Sequence, residues 1–218
     1  NVFAPVFADG RRIMFASIQC HHGDTGGSVP GGYNVTADSV WGEGVRFPAI
    51  RVMDAGVERR DLLYALGVNN RSPGYLGDLR AQMGAAQLGA ARLTEVLEHH
   101  GAATVEAAID YFIDSTGKRF REEVSSWPDG DYDSDVFVDH DPWGNKDIKV
   151  HVKVTVDGGR LRVDFSGTDD RPELQAWSSF GNTRAYTIAQ VAACMNPEIP
   201  KNEGFFEGIE LFVPEGCV

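Results

Sequence analysis

The chain has 218 residues, 42% hydrophobic and 24% charged, which is enough apolar material for one or two folded domains and excludes disorder as the main state. Its 32 acidic residues against 20 basic ones leave a net charge of -12, so nucleic acid and anionic membrane surfaces are expected to repel it and are excluded as partners. The three cysteines, Cys20, Cys194 and Cys217, lie far apart without a C-x-x-C pair, so neither a disulfide framework nor a zinc ribbon is expected, and a cytoplasmic location fits.

No run of about 18 apolar residues is available to span a bilayer. The opening residues lack the basic and apolar regions of a signal peptide. An opening without Met and an end without a polar tail make the chain read as a segment of a longer polypeptide.

In chain order, Val2 to Phe7 and Arg12 to Ile18 are β-prone runs joined by Ala8-Asp9-Gly10, which predicts a hairpin. Gly23 to Gly44 is rich in Gly, Ser, Thr, Asn and Pro and predicts an ordered loop over a site. Val45 to Val52 alternates like a strand, with Pro48 confining it to an edge. Leu79, Met83, Ala86, Ala90, Leu93 and Leu97 form one apolar stripe on a long helix from Pro73 to His100, stopped by Gly101. Thr104 is placed to cap a second helix whose Val105, Ile109, Phe112, Thr116 and Phe120 share a face, and the two helices are expected to pack as a hairpin.

Beyond Trp127-Pro128-Asp129-Gly130 the pattern turns to strands. Asp129 to Asp141 carries six aspartates but no closing Glu of a calcium loop, and it predicts a solvated acidic hairpin. Asp147 to Val156 and Leu161 to Ser166 pair around Asp157-Gly158-Gly159, Arg184 to Met195 reads as a buried helix, and Gly208 to Val213 is a final strand. The expected class is α+β, with mixed or antiparallel sheets and a long helical hairpin. The expected parts are a strand-rich segment with the site loop (1–68), the helical hairpin (69–127) and an α/β segment (128–218).

Cys20-His21-His22-Gly23-Asp24-Thr25-Gly26-Gly27 places two imidazoles and a carboxylate within four positions where a strand meets a glycine-rich loop. His21 and Asp24 converge on a cation if the chain turns at once, and His22 is either a further ligand or a proton carrier facing substrate. Mixed imidazole and carboxylate ligation suits zinc, manganese or iron. The plainer reading has one imidazole packed and hydrogen-bonded and the other at the surface. Arg71 and Arg80 flank the start of the long helix and can hold an anionic group, with Asn69 adding neutral hydrogen bonds, although Arg80 is equally placed for a salt bridge. His99-His100 reads as a helix cap, and Cys20 as a buried small residue. No phosphate-cradling loop with its Lys, no nucleophile elbow and no dinucleotide fingerprint occurs, so nucleotide chemistry is assigned to a partner.

Several strings, in this order, resemble the hydantoinase B/oxoprolinase family, which includes hydantoinase B, the second half of 5-oxoprolinase and a subunit of acetone and acetophenone carboxylases. They are His21 to Gly27, Pro30-Gly31-Gly32, Glu43 to Pro48, Asn69 to Pro73, Gly77 to Gln82, Trp127 to Gly130, Asp164 to Thr168 and Asn202-Glu203-Gly204. The resemblance implies that His21 and Asp24 are metal ligands with His22 adjacent, and that Asp164 to Thr168 is a structural turn. It also implies a further ligand upstream of this chain and a long downstream region. Some relatives carry another His shortly before the position of Glu43, where this chain has Trp41-Gly42.

The implied partner is an actin-like hydantoinase A-type subunit that binds ATP with magnesium and phosphorylates a carbonyl or enol oxygen of a small substrate. The implied assembly is a hetero-oligomer, and its reaction is hydrolysis of a cyclic amide (lactam or hydantoin). Carboxylation of a ketone, or a non-catalytic structural role, are the alternatives.

Overall fold

Asp9 and Gly10 both adopt positive φ, 51° and 74°, the backbone twist that a two-residue hairpin turn requires, and they join β1 (Val2–Ala8) to β2 (Arg11–Ile18) in antiparallel register. In this computed structural model the described residues are 1–171, 173–174 and 178–215, and Cys217 lies outside them. They divide into two compact units, Asn1–Val105 and Glu106–Val218. The class is α+β with antiparallel and mixed sheets, as expected.

In the first unit one face of the β1–β2 hairpin carries buried Val6 and Ala16 and lies against the long helix α2 (Tyr75–His100). The helix buries Leu79, Gln82, Met83, Ala86 and Leu97, and Gly89 lets it approach Ala16, whose Cβ lies 3.2 Å from where a side chain at 89 would begin. Gly101, at φ 82°, ends the helix and donates its N–H to the Leu97 carbonyl.

Two features of this unit differ from expectation. Val45 to Val52 forms no strand, because the Val45 N–H is spent on the Thr25 carbonyl and Pro48 has none to give; only Met53–Asp54 (β3) and Val57–Glu58 (β4) pair. A helix the periodicity did not announce, α1 (Arg60–Val68), inserts Leu63 and Leu66 into a cluster with Leu79 and Met83 of α2.

The second unit is built on a four-stranded sheet in the order β5 (Gly130–His140), β6 (Lys146–Asp157), β7 (Arg160–Asp164), β8 (Ile209–Phe212), antiparallel except for the parallel β7–β8 pair. Helix α3 (Ala102–Val124) contributes Phe120 and Val124 to a core shared with Val156, Leu161, Val163, Met195, Ile199, Phe205 and Ile209. Its first turn is already formed at Ala102, so Thr104 lies inside the helix and not at its cap. The acidic stretch is one long edge strand instead of a hairpin. Every residue pair from Gly130↔Val156 to Val138↔Ile148 is in register, and Asp131 and Asp135 find cross-strand partners in Lys153 (2.8 Å) and His151 (2.7 Å).

Helix α4 (Phe180–Cys194) was expected to be buried, yet none of its residues is fully enclosed. Only Ile188, Val191 and Ala192 lie against the core, because apolar residues at that spacing supply a single stripe. The short α5 (Glu203–Phe206) is capped by the Asn202 side chain, which accepts from the Gly204 N–H and donates to Thr116 of α3. Among the described residues no helix is long and apolar enough to cross a membrane.

Candidate active-site loop

The chain leaves β2 at Ile18 and turns through Cys20-His21-His22 into a loop that folds back on itself. Gly26 and Gly27, at φ 80° and 84°, make the turn possible. A side chain at 26 would collide with Val45 and the Asn69 carbonyl, and one at 27 with the Glu43 backbone. The Ser28 N–H and hydroxyl both donate to the Gly42 carbonyl, and the Val45 N–H donates to Thr25, so the two ends of the loop are tied.

Asp24 is 4% exposed, and both its carboxylate oxygens are engaged. Oδ2 accepts from the Arg71 N–H at 2.7 Å, and Oδ1 accepts from the Gly31 N–H at 3.1 Å and from the Arg71 guanidinium at 3.0 Å. The Arg71 N–H, with the Gly31 N–H and the guanidinium adding to it, holds the carboxyl below its ordinary value against the opposing effect of burial. The same guanidinium donates to the Gly27 carbonyl at 2.5 Å and to the Val29 carbonyl at 3.4 Å, and the Asn70 amide donates to the Asp24 carbonyl. The turn before α2 therefore clamps the loop from 47 residues away in sequence.

The two histidines diverge. His21 is exposed, its Nε2 3.3 Å from the Tyr33 hydroxyl. His22 is half-buried and turns toward α2, with its Nε2 3.2 Å from Gln82 Oε1 and its ring edge-on to Tyr75 at 5.0 Å between centroids. The His22 Nδ1 and the Gln82 Nε2 are enclosed and have no hydrogen-bond partner among the described residues. Burial raises the Tyr75 phenol above its ordinary pKa, so this wall of the site is neutral.

Arg80 does not face the loop. Its guanidinium forks onto both carboxylate oxygens of Glu58, at 3.0 to 3.3 Å, and those hydrogen bonds raise its pKa further. Asn69 donates to the Ala65 carbonyl and so closes α1. Cys20 is exposed, contrary to the expectation of a buried small residue, because it lies past the last paired position of β2.

His21, His22 and Asp24 are thus not gathered into a ligand set, and among the described residues no three His, Cys, Asp or Glu side chains form one. Asp24 already shares its carboxylate with a guanidinium at 3.0 Å, which a second cation would have to displace or face. The residues present do not fit a metal by themselves, and the candidate site reduces to His22 with Gln82 and Tyr75, held over the Asp24–Arg71 clasp. Sequence reasoning does not single out Gln82, Tyr75, Asn70 or Gly31 as site residues. The available signal is Gln82 itself, an amide on the buried stripe between Leu79 and Ala86.

The family model for hydantoinase B/oxoprolinase matches residues 1–218. The putative B component of a D-/L-hydantoinase from Pseudomonas sp. (strain NS671) is 33% identical over 98% of this chain and 38% of its own length. 5-oxoprolinase 1 of Arabidopsis thaliana is 26% identical over 99% of this chain and 19% of its own. The crystal structure of ATP-dependent caprolactamase from Pseudomonas jessenii superposes with a TM-score of 0.87 at 28% identity, over 99% of this chain and 37% of that one. The chain therefore spans well under half the length of these relatives. With a match that runs from its first residue to its last, this chain belongs to the hydantoinase B/oxoprolinase family.

Proposed function

We propose that the chain forms part of the hydrolytic subunit of an ATP-dependent cyclic amidase that works with an ATP-binding partner of the hydantoinase A type. The partner transfers the γ-phosphoryl group of ATP to the amide carbonyl oxygen and releases ADP. Water then adds at the activated carbon and the C–N bond breaks to leave an acyl phosphate, which a second water hydrolyses, so that one amide, one ATP and two waters become the ring-opened acid, ADP and phosphate.

In this scheme His22 accepts the proton of the attacking water and returns one to the departing nitrogen. The observation that carries the reading is the place of His22, a half-buried imidazole just past β2 whose Nε2 lies 3.2 Å from Gln82 Oε1 and whose ring packs against Tyr75. Asp24 and Arg71 contribute by fixing the loop that presents His22, and Arg80 by anchoring α2 to the β4 segment. No step is routed through a metal, since the Asp24 carboxylate is held by the Gly31 N–H and by the N–H and guanidinium of Arg71. Similarity to a hydantoinase component and to caprolactamase supports amide hydrolysis as the reaction.

The test is turnover of the full-length subunit with its partner and ATP on hydantoins, 5-oxoproline, caprolactam, acetone and acetophenone, with and without bicarbonate. Ring opening matched to ADP release without bicarbonate is expected. Product formed only from ketones and only with bicarbonate overturns the proposal in favour of a carboxylase.

A further inference from the structure

One face of the second unit's sheet is apolar along its length, and the helices packed on it leave part of it bare. Alternate residues of β6, from Ile148 through Val150, Val152 and Val154 to Val156, point to this side, while His151 and Lys153 point to the other and pair with Asp135 and Asp131. The ends of the row are enclosed, Ile148 at 0% and Val156 at 5% exposure, but Val136, the β5 neighbour of Val150, is 60% exposed. The 12 residues of β6 run for roughly 40 Å and the 15 of α4 for roughly 22 Å, so α4 is too short to cover the row whatever its direction. The result is an open groove of about 880 Å³ between Val136, Val150 and Val152 of the sheet and Phe180, Thr183 and Tyr186 of α4.

The groove continues the core of this unit. Val152, Val154, Phe165 and Val191 line it and also pack against the buried cluster around Phe120 and Phe205. Among the described residues that line it only Glu215 is charged, the composition of a core or a permanent interface. Three of its hydroxyls are already engaged within the chain: those of Ser178 and Thr183 lie 2.8 Å apart, and that of Thr187 donates to the Thr183 carbonyl at 2.8 Å. An extended segment laid here would find few partners for its N–H and C=O groups, whereas a helix satisfies its own.

We propose that the groove is the seat of an amphipathic helix from another part of the same polypeptide, lying beside α4 and completing the helical layer over the sheet. The chain spans 38% and 37% of the lengths of the hydantoinase component and of caprolactamase, so more than half of a polypeptide of that kind lies outside these residues. Val213 and Pro214, which follow β8, already form part of the groove wall. A covering segment of the same chain shields the apolar face as soon as the subunit folds, while a separately folded partner would leave it in water until assembly. A second copy related by a twofold axis would set groove against groove and fill neither.

The test is photo-crosslinking and carbene footprinting of the full-length subunit, purified without its ATP-binding partner. With Tyr186 and, separately, Phe180 replaced by p-benzoylphenylalanine, crosslinks are expected within one polypeptide, to apolar residues outside 1–218 that are spaced three and four apart. In the wild-type subunit, carbene labelling should be as low at Val136, Phe180 and Tyr186 as at the enclosed Phe120 and Ile148, and unchanged on dilution.

Crosslinks between two copies, crosslinks that appear only when the ATP-binding partner is added, crosslinks confined to residues 1–218, or contacts spaced two apart as in a strand overturn the proposal. So does labelling of these three residues at the level of the unfolded protein, or labelling that rises on dilution. The wild-type footprint decides the matter if a substituted subunit fails to fold.

Discussion

The Asp24 carboxylate receives both the backbone N–H and the guanidinium of Arg71, at 2.7 and 3.0 Å, across 47 residues of sequence. One arginine thus neutralises a buried acid and, through the Gly27 and Val29 carbonyls, fixes the path of the loop beyond it. Removing one partner of such a pair leaves the other charged and enclosed.

Arg71→Met should therefore loosen the loop without unfolding the unit. Amide hydrogen exchange is the measurement. Protection across residues 24–45 should fall by roughly tenfold or more, on the scale of losing hydrogen bonds to a charged group, while α2 keeps its protection. Unchanged exchange in the loop would show that the clasp does not hold it.

The lowered pKa of Asp24 sets the sign of an acid effect. The folded-state value lies below the ordinary 3.8, so the clasp's contribution is complete above that pH and is lost as pH falls through the lowered value. Other aspartates, Asp61, Asp131, Asp141 and Asp164, are shifted the same way, so the effect of Asp24 is read as a difference. Thermal melts of the wild type and Asp24→Asn from pH 2 to 7 should converge at the acid end and separate above it, with the wild type more stable.

In the second unit, Gly204 lies so close to α3 that a Cβ would come within 2.0 Å of the Ile113 carbonyl and 2.9 Å of the Gly117 nitrogen. Gly204→Ala must push α5 off the helix that its Asn202 cap holds. The expected loss is about 1–3 kcal/mol or more, measured by denaturant unfolding. A stability within about 0.5 kcal/mol of wild type would mean that α5 moves freely.

Much of this architecture is legible in the sequence because its causes are local. Asp9-Gly10 specifies a turn by its backbone preference, and the stripe from Leu79 to Leu97 specifies a helix face by its period. What escapes depends on partners distant in sequence. The aspartates of β5 resemble a solvated hairpin because nothing in their own stretch shows that Lys153 and His151 lie opposite. Helix α1 has only nine residues and no side-chain cap, so its existence follows from packing against Leu79 and Met83. His21, His22 and Asp24 are adjacent in sequence, which suggests one cluster. The direction of each side chain is decided by Tyr33, Gln82 and Arg71, and only the last of these stands out as a candidate in the sequence.

The most direct test of the account is the effect of His22→Ala on ring opening by the full-length subunit with its ATP-using partner. A loss of kcat of roughly 100- to 10,000-fold, with a melting temperature near that of the wild type, is the predicted result. Ring opening within about tenfold of the wild-type rate would contradict the role assigned to this imidazole.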